Sequence, residues 1–186
     1  MIRKYAVIPS LLGLILLFST CKKSSGNVIN ISGFSLRDVN GNTLGIIGAP
    51  DSDWYFVSHL SARELALFDL QPSGSLANTI VPDTNNYFAA AFPNPVLSAQ
   101  QFYFRANDSV LVKLIIVDAS LKVMQKTAFK TKGGGSIALD FSDRSIYPNG
   151  SAYRAYYSLS ALGSPNFAIG YGDIKICDSQ NIMDCF

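Results

Sequence analysis

From residue 87 onward, apolar and alternating runs recur at short, regular spacing. They fall at Phe88 to Phe92, Gln101 to Arg105, Val110 to Val117, Val123 to Phe129, Ile137 to Phe141, Ala152 to Ala161 and Phe167 to Cys177. Turn signals separate them: Pro93-Asn94-Pro95, Asn107-Asp108, Asp118-Ala119-Ser120, Gly133-Gly134-Gly135, Pro148-Asn149-Gly150 and Gly163-Ser164-Pro165. Seven short strands in roughly 90 residues predict an antiparallel β-sandwich of immunoglobulin size. Alternation assigns the faces. Val110, Val112, Leu114 and Ile116 share one side of their strand, and Lys113 is the only charge in that run, as expected of a central strand. Tyr153, Ala155, Tyr157 and Leu159 form a second core face, which turns Arg154, Tyr156, Ser158 and Ser160 outward.

The preceding segment is less regular. Val28 to Leu36 reads as a strand, Asn40-Gly41 as a hairpin turn and Thr43 to Ile47 as the returning strand. Ala49-Pro50-Asp51 ends that unit, and Trp54 to Val57 reads as another short strand. Ser61 with Glu64 three residues later is a capping-box pattern, so Ser61 to Phe68 is expected to be a short helix. Pro72 to Asn86 is rich in Ser, Asn, Asp, Pro and Gly and reads as a linker or long loop. The expected organisation is a signal over 1–20, a tether over 21–27, a small β/short-helix extension over 28–86 and a β-sandwich over 87–186.

The first residues carry an address. Arg3 and Lys4 precede an uncharged stretch, Tyr5 to Thr20, and small residues lead to Cys21. The stretch is shorter than the ~18 apolar residues of a spanning helix, and Pro9 and Gly13 interrupt it. A cleaved export signal is the better reading. Leu17-Phe18-Ser19-Thr20-Cys21 resembles a bacterial lipobox. The resemblance implies that Cys21 becomes the lipidated N-terminus of the mature chain. At about 0.8 kcal/mol per buried methylene, two or three acyl chains hold a protein firmly on a membrane, where one does so only marginally.

Composition narrows the partners. Without Arg3 and Lys4 the formal charge falls from +2 to 0, which leaves no basic surplus for nucleic acid. About 165 mature residues suit one domain with a small extension. Glu64 is the single glutamate, and the abundance of Phe, Tyr, Val and Ile favours strands. With Cys21 lipidated, Cys177 and Cys185 remain as a pair, and an exported chain meets oxidising conditions in which they are expected to form a disulfide. A metal site is a poor alternative, since His59 is the only histidine. No cofactor is implied.

Phe92-Pro93-Asn94-Pro95, followed by Val112-Lys113-Leu114-Ile115-Ile116-Val117-Asp118, resembles the opening of two related β-sandwich groups. One is the C-terminal sorting domain of type IX secreted proteins, and the other is the immunoglobulin-like domain of flagellar hook-capping proteins. Asn149-Gly150 with Tyr153-Arg154 resembles a strand of the second group. The resemblance covers Tyr87 to Cys177 and implies a fold more than a function. A sorting domain ends in a basic strand, whereas Cys177 to Phe186 carries acids, and a lipoprotein signal makes a second secretion signal redundant. Asp53-Trp54, Glu64 to Phe68 and Gly172-Asp173-Ile174 resemble, in this order, segments of small lipoproteins from type IX-secreting bacteria.

Catalytic motifs are sparse. A lone His59 near Ser58 and Ser61 is more often structural than part of a triad. Gly134 to Ala138 lies between two strands and reads as a hairpin loop, not a nucleophile elbow. Asp38 to Asn42 departs from a calcium loop in its glycine position and also reads as a hairpin. Trp54, Arg154 and Tyr156 are the candidate ligand or partner contacts, weighed against plain packing roles. The expected protein is therefore an outer-membrane lipoprotein acting as a non-enzymatic structural or protein-interaction module of the cell envelope, with an envelope protein or a glycan as the expected partner. A carbohydrate-binding accessory lipoprotein is the second reading and a hydrolase the third.

Overall fold

The strand over Ser109–Val117 organises the molecule, because its apolar residues serve two sides. Val110, Val112, Leu114 and Ile116 enter one core, while Ile115 and Val117 are buried on the opposite face. A strand covered on both faces reads as a continuous apolar run, which is why alternation lapses at Ile115-Ile116-Val117.

A computed structural model of the chain describes residues 28–48, 54–69, 79–80, 87–107, 109–161, 167–179 and 185. The elements in chain order are β1 Phe34–Arg37, β2 Thr43–Ile47, β3 Tyr55–Val57, α1 Ala62–Leu67, β4 Thr79–Ile80, β5 Phe88–Phe92, β6 Ala99–Arg105, β7 Ser109–Val117, β8 Val123–Lys132, β9 Gly135–Asp140, β10 Ala152–Ala161 and β11 Phe167–Lys175. The protein is mainly β. One sheet runs β3-β11-β10-β7-β8, with β4 added parallel to β11, a second runs β5-β6-β9, and β1 and β2 form a separate hairpin. All the other pairings are antiparallel.

The main core is shared by both larger sheets. Phe102, Phe104 and Leu139 from the smaller sheet meet Val112, Leu114, Ala155 and Tyr157 from the larger one. A second cluster lies on the other face of the larger sheet, where Leu60, Leu65 and Phe68 around α1 cover Ile115, Val117, Tyr156 and Ile169.

All seven runs after residue 87 form strands, with ends shifted by a few residues. Two expectations need correction. The strand expected over Val28 to Leu36 is confined to Phe34–Arg37. Ile29 donates its N–H to the Ala119 carbonyl and Asn30 accepts from Arg154, so this stretch meets a turn and a side chain instead of a strand. The outward face of β10 is also not outward. Arg154, Tyr156 and Ser158 are all buried, because α1 and the residues before β1 cover that side. Apart from Thr79–Ile80, the expected loop over Pro72 to Asn86 lies outside the described residues up to 86, as do the signal, the tether and Cys21.

Asn94, fully buried, ties the hairpin to both sheets. Its backbone exchanges hydrogen bonds with Arg37, its Nδ2 donates to the Ser35 and Asp173 carbonyls, and its Oδ1 accepts from the Lys175 N–H. The flanking Phe92–Pro93 and Asn94–Pro95 peptide bonds are both cis. Cys177 and Cys185 are joined in a disulfide with Cα atoms 5.5 Å apart. No helix among the described residues is long and apolar enough to cross a membrane.

Candidate functional site

The larger sheet carries a polar cluster on the face that α1 covers. Cross-strand register places Arg154 of β10 directly opposite Asp173 of β11. The guanidinium meets the carboxylate through two bonds, Nε to Oδ1 at 2.6 Å and Nη2 to Oδ2 at 2.7 Å, and Nη2 also donates to the Asn30 carbonyl at 2.8 Å. Tyr171, two residues before Asp173, lies under the guanidinium with its ring centroid 4.2 Å away. Asp173 is 1% exposed and Arg154 7% exposed, so the pair is largely withdrawn from water.

Two residues along β10 on the same face, the Tyr156 hydroxyl donates to Oε1 of Glu64. The other oxygen of Glu64 accepts the Ser61 N–H at 2.8 Å, while the Glu64 N–H donates to the Ser61 hydroxyl. The capping box of α1 therefore also fastens the helix to the sheet. Burial works to raise the Glu64 pKa, but the bonds from Ser61 and Tyr156 and the nearby Arg154 charge outweigh it and hold the group below its ordinary value. Burial and the Glu64 carboxylate push the Tyr156 hydroxyl far above its ordinary value. Burial opposes the charge on Arg154, yet the Asp173 carboxylate more than compensates and raises its pKa further. These shifts move both Glu64 and Tyr156 away from neutrality, so the cluster does not tune a group for proton transfer near pH 7.

Beside the cluster opens a cleft of about 650 Å³, lined by residues 56–61, Glu64, Arg154 and Tyr171. His59, exposed and two residues beyond β3, is among the residues lining it. The charged groups that reach the cleft, Glu64 and Arg154, already hold partners within the fold. Among the described residues, no group of three or more His, Cys, Asp or Glu side chains is placed to hold a metal ion.

Of the three candidate contact residues, Trp54 takes the packing role weighed for it, whereas Tyr156 and Arg154, expected on an exposed face, are buried. Trp54 is 7% exposed, stacks on Tyr157 at 5.8 Å and tilts against Phe102 at 5.9 Å, so it anchors β3 in the main core. Tyr156 is fully buried and cannot offer its ring to a ligand, and Arg154 borders the cleft while almost wholly buried. Sequence reasoning identified neither Asp173 as the partner of Arg154 nor Glu64 as the partner of Tyr156. One signal for the first was present: Asp173 is the only charge between Phe167 and Ile174, in a run that is otherwise apolar or glycine. Of the segments singled out in the sequence, Trp54 meets Gly172 on the main-core face of the larger sheet, while Leu65 and Phe68 lie on its other face and Asp53 lies outside the described residues. Trp54 lies against Gly172, so closely that a Cβ on that glycine would strike the indole.

Comparison of the chain with protein-family models, with curated proteins and with solved structures finds no match.

Proposed function

We propose that this chain is an exported lipoprotein, anchored to the outer membrane through Cys21, that acts as a non-enzymatic structural or protein-interaction module on an immunoglobulin-like β-sandwich. The observation that carries the non-enzymatic part is the closure of the polar cluster on itself. Arg154, Asp173, Tyr156 and Glu64 fasten strand to strand and helix to sheet. The pKa values of Glu64, Arg154 and Tyr156 are all displaced away from neutrality.

Strand order supports the scaffold. The path β11-β10-β7-β8 facing β5-β6-β9 corresponds to G-F-C-C′ facing A-B-E in immunoglobulin-like domains. Tyr153, at the start of β10, donates its hydroxyl to the Ile146 carbonyl at 2.9 Å, in the manner of the tyrosine corner at the E–F connection.

The test is cross-linking in intact cells, followed by denaturing purification of the full chain. A discrete adduct with an envelope protein is expected, and its loss is expected when Cys21→Ala releases the chain from the membrane. A chain that yields no adduct under conditions preserving known envelope complexes would overturn the interaction reading. A Cys21→Ala chain that stays in the membrane fraction would overturn the anchor.

A further inference from the structure

We infer that the end of the molecule bearing the β1–β2 hairpin rests on the lipid surface to which Cys21 is attached; this builds on the lipoprotein reading above. The β5–β6, β7–β8 and β9–β10 connections and the chain after β11 all leave the sheets at that end, since β5, β7, β9 and β11 finish there and β6, β8 and β10 begin there. The bridges Arg37↔Asn94 and Val96↔Ile176 bring the hairpin and the tail to the same place. The described chain also starts there, because Ile29 donates its N–H to Ala119 in the β7–β8 turn.

Chain length sets the distance. Residues 22–27 alone separate Cys21 from Val28. At roughly 3.5 Å per residue, the covalent path from the lipidated cysteine to Val28 spans at most about 25 Å. This end is thus held close to the bilayer.

The side chains exposed there suit an apolar neighbour. Among the described residues, the exposed aliphatic side chains are Val28, Val39, Leu44, Ile46, Leu97, Val123 and Ile146, and all lie at this end. The other exposed large hydrophobics, Tyr55, Phe88 and Tyr103, are aromatic and lie elsewhere. Val39 is 72% exposed and Leu44 63% exposed, and Val39, Leu44 and Leu97 line a groove of about 310 Å³ beside the disulfide. The hairpin turn keeps its one carboxylate occupied, since Asp38 accepts from the N–H groups of Asn40 and Asn42. At the opposite end of β8, Lys130 and Lys132 are exposed. Charges are exposed at this end as well, at Lys122, Asp140, Asp143 and Asp178, but the gathering of the exposed aliphatic side chains beside the anchor fits a protein that stands on acyl chains, with its hairpin in the interfacial layer and these charges among the head groups.

The experiment uses the full lipidated chain in vesicles of phosphatidylethanolamine and phosphatidylglycerol, with an environment-sensitive fluorophore on Leu44→Cys or on Lys132→Cys. The native cysteines are taken up by lipid and disulfide. The expected result is a blue-shifted emission quenched by spin-labelled lipid at position 44, with neither effect at 132, and loss of the effect when Val39→Asp is added. Protein that floats with the vesicles while position 44 stays aqueous would overturn this inference and leave the anchor standing. Blue-shifted emission that spin-labelled lipid does not quench and that falls on dilution would assign the hairpin to a second copy of the chain, and would also overturn it. Protein that does not float would remove the anchor itself, and this inference with it.

Discussion

Arg154 and Asp173 form the most consequential pair of single residues in the molecule. A bidentate bond in a buried site compensates each charge for lost hydration only while both are present. Asp173→Ala is therefore expected to lower stability by about 3–5 kcal/mol in urea denaturation, because it leaves a buried guanidinium unpaired. Replacing both residues, as Arg154→Met with Asp173→Leu, is expected to recover most of that loss. If the double variant were no more stable than the single one, the cost would lie in lost packing and not in the orphaned charge. Gly172 is a second critical position, for steric reasons. A methyl group there meets the Trp54 indole, so Gly172→Ala should cost about 1–3 kcal/mol and change the near-ultraviolet circular dichroism of the only tryptophan. The residue types at these places were readable in the sequence. Their partners were not, since the match of Arg154 with Asp173 depends on the register of two long strands, and Trp54 meets Gly172 across 118 residues of sequence separation set by that same sheet.

At the scale of elements, α1 shows how a local signal acquires a tertiary role. Six residues are too few to hold a helix in water, so the caps and the sheet must supply its stability. Ser61→Ala removes the N-cap acceptor and should cost about 1 kcal/mol. Glu64 gives the helix a pH dependence. Its folded-state pKa lies below the ordinary value of 4.5, so its contribution is complete above that pH and is lost as the pH falls through the folded-state value. Denaturation midpoints measured from neutral pH down to about pH 3 should therefore fall less steeply for Glu64→Gln than for the native chain. Parallel curves would mean that Glu64 titrates alike in both states. The helix itself was legible from Ser61 and Glu64, and the strands from period-2 alternation. What alternation could not convey was the burial of the second face of β10. Arg154, Tyr156 and Ser158 read as a solvent face because each is polar or amphipathic, and the cover comes from residues 28–30 and 60–68, far away in the chain.

At the scale of the whole molecule, that cover decides whether the strands after residue 87 can stand alone. The sequence divides the chain at residue 86, where a polar stretch precedes the regular strands. The sheet does not divide there: β3 pairs with β11 through Tyr55, Phe56 and Val57, and Leu60, Leu65 and Phe68 bury one face of the larger sheet. Without them Ile115, Val117, Tyr156 and Ile169 would face water. At about 1.5–3 kcal/mol for each large side chain, their exposure amounts to roughly 6–12 kcal/mol, an upper estimate comparable with the entire stability of an ordinary domain. Glu64 would leave with the helix and Asn30 with the preceding segment, so Tyr156 and Arg154 would each lose a hydrogen-bond partner as well. A chain that starts at Tyr87 is accordingly expected to retain strand content but to lose fixed packing. It should bind the apolar dye ANS and show poorly dispersed amide resonances, while a chain that starts at Lys22 gives a dispersed spectrum. A dispersed spectrum from the shorter chain would mean that the β7–β10 face tolerates water and that the preceding segment is an independent attachment. The exposed Leu44 and Ile46 of the hairpin make the opposite case: more than half of each residue's surface stays open to water, so Leu44→Ser and Ile46→Ser should change the denaturation midpoint little. Apolar side chains that the fold does not need are free to serve a surface outside it.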